Sequence, residues 1–375
     1  MPTYPTYKLG EVLSYEQPTN YIVESTEYDD SYSIPVLTAG KSFILGYTNE
    51  KEGVYDKLPV IIFDDFTTAS KYVDFKFKVK SSAMKILSCN EKIADIKYVY
   101  YFMQITNIQC DTHKRYWISD YSKVRIPLPP LATQHAIVTR IESLFAELDK
   151  GVEKLKTAQQ QLKVYRQAVL NDCLTKGSEK WEKVKLGEVA EMCLGKMLDK
   201  NKNKGIYQPY LRNVNVRWGS FDLDDLLEMR FEDSEQERYG LQNGDLIMCE
   251  GGEPGRCAIW NGEAQNMKIQ KALHRIRLKP SVSNKYVYYL FYHYAQNGLL
   301  EKHFTGTTIK HLTGQSLKAI EIPLPSLPEQ QRIVQEIETR LSACDEVEKN
   351  IAESLQQADA LRQSILKKAF EGELV

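Results

Sequence analysis

Several things this sequence lacks narrow its possible roles. No apolar run approaches the ~18 residues of a membrane-spanning helix, and the opening MPTYPTYKLGEV lacks the basic-then-apolar order of a secretory leader. A cytoplasmic protein is expected. Cys89, Cys110, Cys173, Cys193, Cys249, Cys257 and Cys344 are odd in number and scattered, with no CxxC pair, so they read as free structural thiols and not as a disulfide framework. Positive charge is not in excess: 49 Lys+Arg against 50 Asp+Glu leave a net charge of −1. That excludes a protein that coats nucleic acid indiscriminately, which needs surplus cations to neutralise phosphates, but leaves room for one that reads it through local basic patches.

Catalytic signatures are missing too. The GKS at Gly40 to Ser42 has Pro35 where a phosphate-binding loop needs its first glycine, and no GxGxxG follows a strand. There is no GxSxG elbow, and the six histidines form neither HExxH nor a close pair suited to zinc. The consecutive prolines Pro129 and Pro130 do not belong to the Asn/Asp-Pro-Pro-aromatic loop with which an amino-methyltransferase holds an extruded base. Asp64 and Asp65 in IIFDDF read as a polar strand end, because a nuclease centre would need further spaced ligands.

What is present is a repeat. IPLPPLATQ at 126–134 returns as IPLPSLPEQ at 322–330, KLGEV at 8–12 returns at 185–189, IPVLT at 34–38 resembles QPYLR at 208–212, and KYVYYFM at 97–103 resembles KYVYYLF at 285–291. The order is the same in both halves, which chance matches would not preserve. At 375 residues the chain is long enough for two or three domains. It reads as globular unit, helix, globular unit, helix, with a proline box closing each unit. Each unit mixes strand-like runs such as PVIIFDD and DLIMCEG with turns and one helix at the YVYY box, which predicts a compact α+β domain. In KYVDFKFKVK at 71–80 the alternation predicts one strand with Phe75, Phe77 and Val79 inward and Lys76, Lys78 and Lys80 solvated.

After the first box, Ile137, Ile141, Leu144, Leu148, Val152, Leu155, Leu162, Tyr165 and Val169 follow helical seam spacing. After the second, Ile333, Ile337, Leu341, Cys344, Val347, Ile351, Leu355, Ala358, Leu361 and Ile365 do the same. Helices of about 40 residues need their stripes covered, and pairing with each other in antiparallel fashion places one globular unit at each end. Ser326 and Glu329 predict a capping box for the second helix, with Pro328 in its first turn; Pro130 and Thr133 at the matching positions predict a weaker start for the first, by about 1 kcal/mol.

The polar loops differ between the halves. The second half offers NKNK at 201–204, LRNVNVRW at 211–218, GGEPGR at 251–256 and TGTTIKHLT at 305–313; the first offers TAGKS at 38–42, DDFTTASK at 64–71 and HKRYW at 113–117. Asn and Arg reach adenine and guanine edges in bidentate fashion, while Lys, Thr and glycine-freed amides suit phosphates. A kept scaffold with divergent polar loops reads as two related readers with different targets.

The box, KLGEV, GDLIMCEGGEPGR and GTTIKHLTGQSLKAIEIPLPSLPEQQRIV together resemble the specificity (S) subunit of type I restriction-modification systems, the HsdS family, over nearly the whole chain. One departure is HKRYWISDYSKVRIPLPP in the first half, where the family often has a glycine-threonine-basic run. The resemblance implies an α+β fold with two mixed target recognition domains, at 1–125 and 181–321, and two conserved helical regions, at 126–180 and 322–375, in a pseudo-two-fold repeat. It implies a non-catalytic subunit that reads one half of a bipartite double-stranded DNA site with each domain, while its helices set the spacer and dock a pair of methylation subunits, with restriction subunits joining through the complex. S-adenosylmethionine, ATP and Mg are then expected on those partners, with no cofactor or metal in this chain and no membrane partner. The acidic last region, with 6 basic and 10 acidic side chains over 322–375, is a docking-surface candidate.

Expected DNA contacts are Arg212, Asn213, Asn215, Arg217, Arg256, Lys310, His311, Lys202 and Lys204 in the second half, and Lys41, Thr67, Thr68, Lys114 and Arg115 in the first. The rival readings are a helical adaptor bridging protein partners without DNA readout, and an enzyme with an unrecognised site, which a turnover assay of the isolated chain would expose.

Overall fold

The computed structural model describes residues 4–38, 42–108, 115–199 and 201–374. The chain divides into two compact units, one made of 1–156 with 352–375 and the other of 157–351. Among the described residues no helix is long and apolar enough to cross a membrane.

In the first unit β1 (Thr6–Lys8) leads into a one-turn helix α1 (Leu9–Val12) and β2 (Leu13–Glu16). There follow β3 (Ile34–Leu37), β4 (Ile44–Thr48), β5 (Val60–Asp64), β6 (Ser70–Val73), β7 (Lys78–Val79) and β8 (Met84–Cys89). The unit closes with α2 (Ile96–Ile105), the short α3 (Tyr116–Ser119), β9 (Arg125–Pro127) and the start of the 45-residue α4 (Leu131–Thr175). The strands form a four-stranded sheet ordered β2-β8-β5-β6, a three-stranded sheet β4-β3-β7 and the pair β1-β9. Strand β5 shows why its sequence is apolar throughout. Ile61 and Phe63 pack toward the helices with Tyr98, Val99 and Ile141, whereas Val60 and Ile62 pack toward the smaller sheet with Leu37, Phe77 and Val79. A strand covered on both faces loses the polar alternation of a surface strand.

The second unit repeats this plan. β10 (Glu182–Lys185), α5 (Leu186–Val189), β11 (Ala190–Leu194) and β12 (Ile206–Leu211) are followed by an added hairpin, β13 (Val216–Arg217) with β14 (Ser220–Phe221). Then come β15 (Leu227–Phe231), α6 (Gln236–Tyr239), β16 (Leu246–Cys249), β17 (Cys257–Ile259), β18 (Lys268–Ile269) and β19 (Leu273–Leu278). Last are α7 (Asn284–Gln296), α8 (Gly314–Lys318), β20 (Glu321–Leu324) and the 45-residue α9 (Leu327–Glu371). The sheets are β11-β19-β16-β17, β15-β12-β18 and β10-β20, each the counterpart of one in the first unit. Even the mixed pairing is kept: β3 is antiparallel to β4 and parallel to β7, as β12 is to β15 and β18.

The proline box and the YVYY box prove to be two halves of one latch. Tyr98 Oη donates to the Pro127 carbonyl at 2.8 Å, and Tyr286 Oη donates to that of Pro323 at 2.8 Å. The glutamine ending each box is buried. Gln134 accepts from Asp95 N (2.8 Å) and donates to Pro129 O (2.8 Å) and Ile93 O (3.0 Å); Gln330 accepts from Ser283 N (2.8 Å) and donates to Pro325 O (2.9 Å) and Ser281 O (3.4 Å). Asp95 and Ser283 are themselves the caps of α2 and α7, accepting from Tyr98 N and Tyr286 N. Each long helix is therefore tied at its start to the start of a short one, satisfying amides that a buried helix end would otherwise leave orphaned.

The expected capping box of α9 does not form. Glu329 instead takes a two-pronged bond from Arg332, at 2.9 Å on each oxygen. The single strand expected over 71–80 is also corrected. It breaks at Asp74 and Phe75 into β6 and β7, and Phe77, Lys78 and Val79 are all buried. Lys78 is not solvated: its ammonium meets Glu50 at 2.7 Å and the Glu52 carbonyl at 2.7 Å, a pairing strong enough to turn a lysine inward.

Within each unit the two long helices run antiparallel. In the second, Arg166 pairs with Asp345 and Glu348 while Arg340 pairs with Asp172; in the first, Arg362 pairs with Asp149 and covers the Phe145 ring. Most seam residues are covered, but Tyr165, Val347 and Leu361 remain 46%, 47% and 50% exposed, so that part of the stripe faces solvent.

Candidate nucleic-acid interface

Three of the four polar loops singled out in the second half converge. Strand β12 delivers Arg212 to Arg217, β16 delivers Glu250 to Arg256, and the segment before α8 delivers Lys310 and His311. Asn213 Nδ2 donates to Gly251 O at 2.9 Å, and Arg256 Nη2 donates back to Asn213 O at 3.0 Å. Leu312 N donates to Glu250 O at 2.7 Å, which brings His311 against Gly251; a Cβ on that glycine would lie 3.0 Å from His311 Nδ1. A larger residue at 251 would therefore require the His311 ring to shift. Gly255 must be glycine for another reason, since its φ of +94° is a left-handed conformation that side chains disfavour.

The arginines of this cluster are held by carboxylates. Arg212 donates to Asp225 Oδ2 and O, both at 2.7 Å; Arg256 donates to Glu253 at 2.7 Å; Arg217 meets Asp222 at 3.3 Å and donates to Val214 O at 2.6 Å. Glu253 also accepts from Trp218 Nε1 at 2.8 Å. Each guanidinium is thus oriented before any ligand arrives. Asn215 is fully occupied by the turn: buried, it accepts from Arg212 N (2.9 Å) and donates to Asp222 O (2.9 Å) and Asp225 O (3.1 Å). Lys310 is exposed, 3.9 Å from Glu301. Lys202 and Lys204 are exposed but lie before β12, whereas Arg212 follows it. Six residues of strand span ~20 Å, so NKNK stands apart from the other three loops.

In the first half, DDFTTASK and HKRYW likewise meet. Tyr116 N donates to Asp65 O at 2.9 Å and Trp117 N to Asp65 Oδ1 at 2.8 Å. Asp65 also pairs with the buried Lys85 at 3.2 Å. Asp64 caps the turn beside it, accepting from Phe66 N (2.9 Å) and Thr67 Oγ1 (2.7 Å). Thr67 is exposed, Thr68 sits at a left-handed φ of +60°, and Arg115 is exposed just before α3. Lys41 and Lys114 lie outside the described residues.

Beneath the second cluster His274 is 1% exposed, its Nε2 bonded to Leu312 O at 2.9 Å. Because a carbonyl only accepts, Nε2 carries the hydrogen. Burial lowers the His274 pKa from its ordinary value, against opposing effects of that carbonyl and of Glu250. Sequence reading missed Glu250, His274, Trp218 and the carboxylates that hold the arginines; only Glu253, three residues before Arg256, left a local signal.

Comparisons with known proteins agree on one family. The type I restriction modification DNA specificity domain matches residues 1–157 and again 178–357. The chain is similar to the type I restriction enzyme EcoR124I/EcoR124II specificity subunit of Escherichia coli, at 35% identity over 95% of this chain and 90% of that one. It is also similar to the MjaVIII specificity subunit of Methanocaldococcus jannaschii, at 22% identity over 98% and 92%. Its fold is shared with a chain solved in work on complex assembly and conformational transition of the type I R-M system (TM-score 0.73, 19% identity, 100% of this chain and 99% of that one). The HsdS subunit from Thermoanaerobacter tengcongensis shares it as well (TM-score 0.59, 18% identity, 100% and 98%). With two copies of the domain on two matching α+β units, this chain belongs to the type I restriction-modification DNA specificity family, as a specificity subunit and not a catalytic one.

Proposed function

We propose that each unit reads one half of a bipartite double-stranded DNA site, with the long helices setting the unread spacer and docking a pair of methylation subunits, through which restriction subunits join. The observation that carries this reading is a contrast. The latch residues Tyr98, Gln134, Tyr286 and Gln330 repeat, while the loops at the ends of β5 and of β12 and β16 share almost no residue. Arg212, Asn213, Arg217, Arg256, Lys310 and His311 contact the second half-site, and Thr67, Thr68, Arg115, Lys41 and Lys114 the first. Lys202 and Lys204 reach phosphates to one side, and Asn215 shapes the turn that presents its neighbours. The exposed seam residues Tyr165, Val347 and Leu361 support the docking role, since exposed apolar side chains on a helix face suit a protein partner. S-adenosylmethionine, ATP and Mg belong to those partners, and the assembly works in the cytoplasm.

The test is mapping of methylated bases across the genome of a strain with and without this chain, each with its methylation subunit. A two-part motif with a fixed gap that disappears with the chain is the expected result; an unchanged pattern beside a stable complex would leave the adaptor reading. Deleting whole helical turns from α4 and α9 should shorten the gap and leave both half-sites unchanged.

A further inference from the structure

The two units place different chemistry at one equivalent point under their loops. Register fixes the equivalence: Phe63 lies opposite Lys85 in the β5-β8 pair, as Met248 lies opposite His274 in the β16-β19 pair. The residue just past the first strand is Asp65, and the one just past the second is Glu250. Their carbonyls accept from matching amides, Tyr116 N at 2.9 Å and Leu312 N at 2.7 Å.

Their carboxylates fare differently. Asp65 is partnered on both oxygens, by Lys85 at 3.2 Å and by Trp117 N at 2.8 Å. In the second unit the lysine is replaced by His274, which spends its Nε2 hydrogen on the Leu312 carbonyl. Glu250 is only 9% exposed, yet among the described residues nothing donates to its carboxylate, whose oxygens keep contact with solvent. Water is the donor left to those oxygens, so a ligand that excludes water there must supply a donor in its place.

We propose that Glu250 is a base-reading residue of the second half-site, accepting from the exocyclic amino group of a cytosine or an adenine. The proposal rests on the reading of this unit as a DNA reader. A carboxylate only accepts, and the donors that base edges offer in the major groove are cytosine N4 and adenine N6. Phosphates repel it, so it faces a base edge while Arg217, Arg256 and Lys310 around it face the backbone or guanines. Asp65, 3% exposed and partnered on both oxygens, is a strut and reads nothing.

The experiment uses the full chain in complex with its methylation subunits, and measures affinity for duplexes carrying every single-base change in both half-sites. Glu250→Met keeps the length and removes the acceptor. It should flatten the preference at one base pair of the second half-site by ~10-fold or more, with other positions unchanged and no fall in melting temperature. His274→Lys should flatten the same position, because the new ammonium would occupy Glu250 as Lys85 occupies Asp65. Uniform weakening on every sequence, an unchanged preference profile, or loss of assembly in both variants would each overturn the role of Glu250. An absence of any sequence preference in the unaltered complex would instead overturn the DNA-reading assignment itself.

Discussion

The first and second units secure their long helices alike and their loops differently. In both, a tyrosine hydroxyl and a buried glutamine amide bond to main-chain groups. Such bonds do not depend on which side chains surround them, so the latch persists while the rest changes. The loops rest on side-chain partnerships: an Asp65–Lys85 pair in one unit, and an imidazole on a carbonyl with arginine–carboxylate pairs in the other. A pair of that kind can be replaced wholesale without disturbing the sheets, which is what the proposed independent retargeting of two half-sites would require.

The sharpest way to break this comparison is to remove the lysine. Lys85→Met strands Asp65 in the interior and should cost about 3–5 kcal/mol in urea unfolding, whereas His274→Met loses one hydrogen bond to a carbonyl and should cost nearer 1 kcal/mol. Equal losses would mean the two struts do the same job. The latch should respond evenly: Gln134→Ala and Gln330→Ala each leave buried main-chain groups unpaired, for about 1–3 kcal/mol apiece. Clearly unequal values would show that the two boxes are not equivalent.

A smaller effect separates the units by pH. His274, His293 and His303 of the second unit all have pKa values lowered by burial, so the folded state takes up protons less readily than the unfolded chain. Their contribution to stability is present above the ordinary histidine pKa of about 6.5 and is lost as pH falls below it. Hydrogen exchange at pH 5 and pH 7.5 should show faster opening of β19 and α7 at the lower pH, with β5 and β8 changing less. Smallest of all, Arg166→Ala removes exposed ion pairs to Asp345 and Glu348 and should shift stability by about 0.2–1 kcal/mol, less in high salt.

Much of the fold was legible. The collinear echoes gave the repeat, the seam gave both helices, and the apolar runs of β5 and β16 gave strands, though not their burial on both faces. The failures share a cause. Alternation at 71–80 ignored Glu50, whose carboxylate draws Lys78 inward from more than twenty residues away, and the Ser326–Glu329 pattern ignored Arg332, which competes for Glu329. At the interface the loops were found, but not the partners that orient them: Asp225 lies 13 residues from Arg212, and nothing local marks it. Glu250 was hidden because its place in the repeat emerges only once the sheet registers are aligned.

The chain's own order of synthesis meets an obstacle in α9. Leu366 and Ala369, near its end, belong to the core of the first unit beside Leu9, Val12 and Tyr98. The part of the first unit made before α9 therefore cannot complete its interior until the end of that helix has been added. Until then it exposes apolar surface meant for a helix not yet made, and such contacts between distant segments form slowly. Newly made chains should need a chaperone for longer than their size alone suggests.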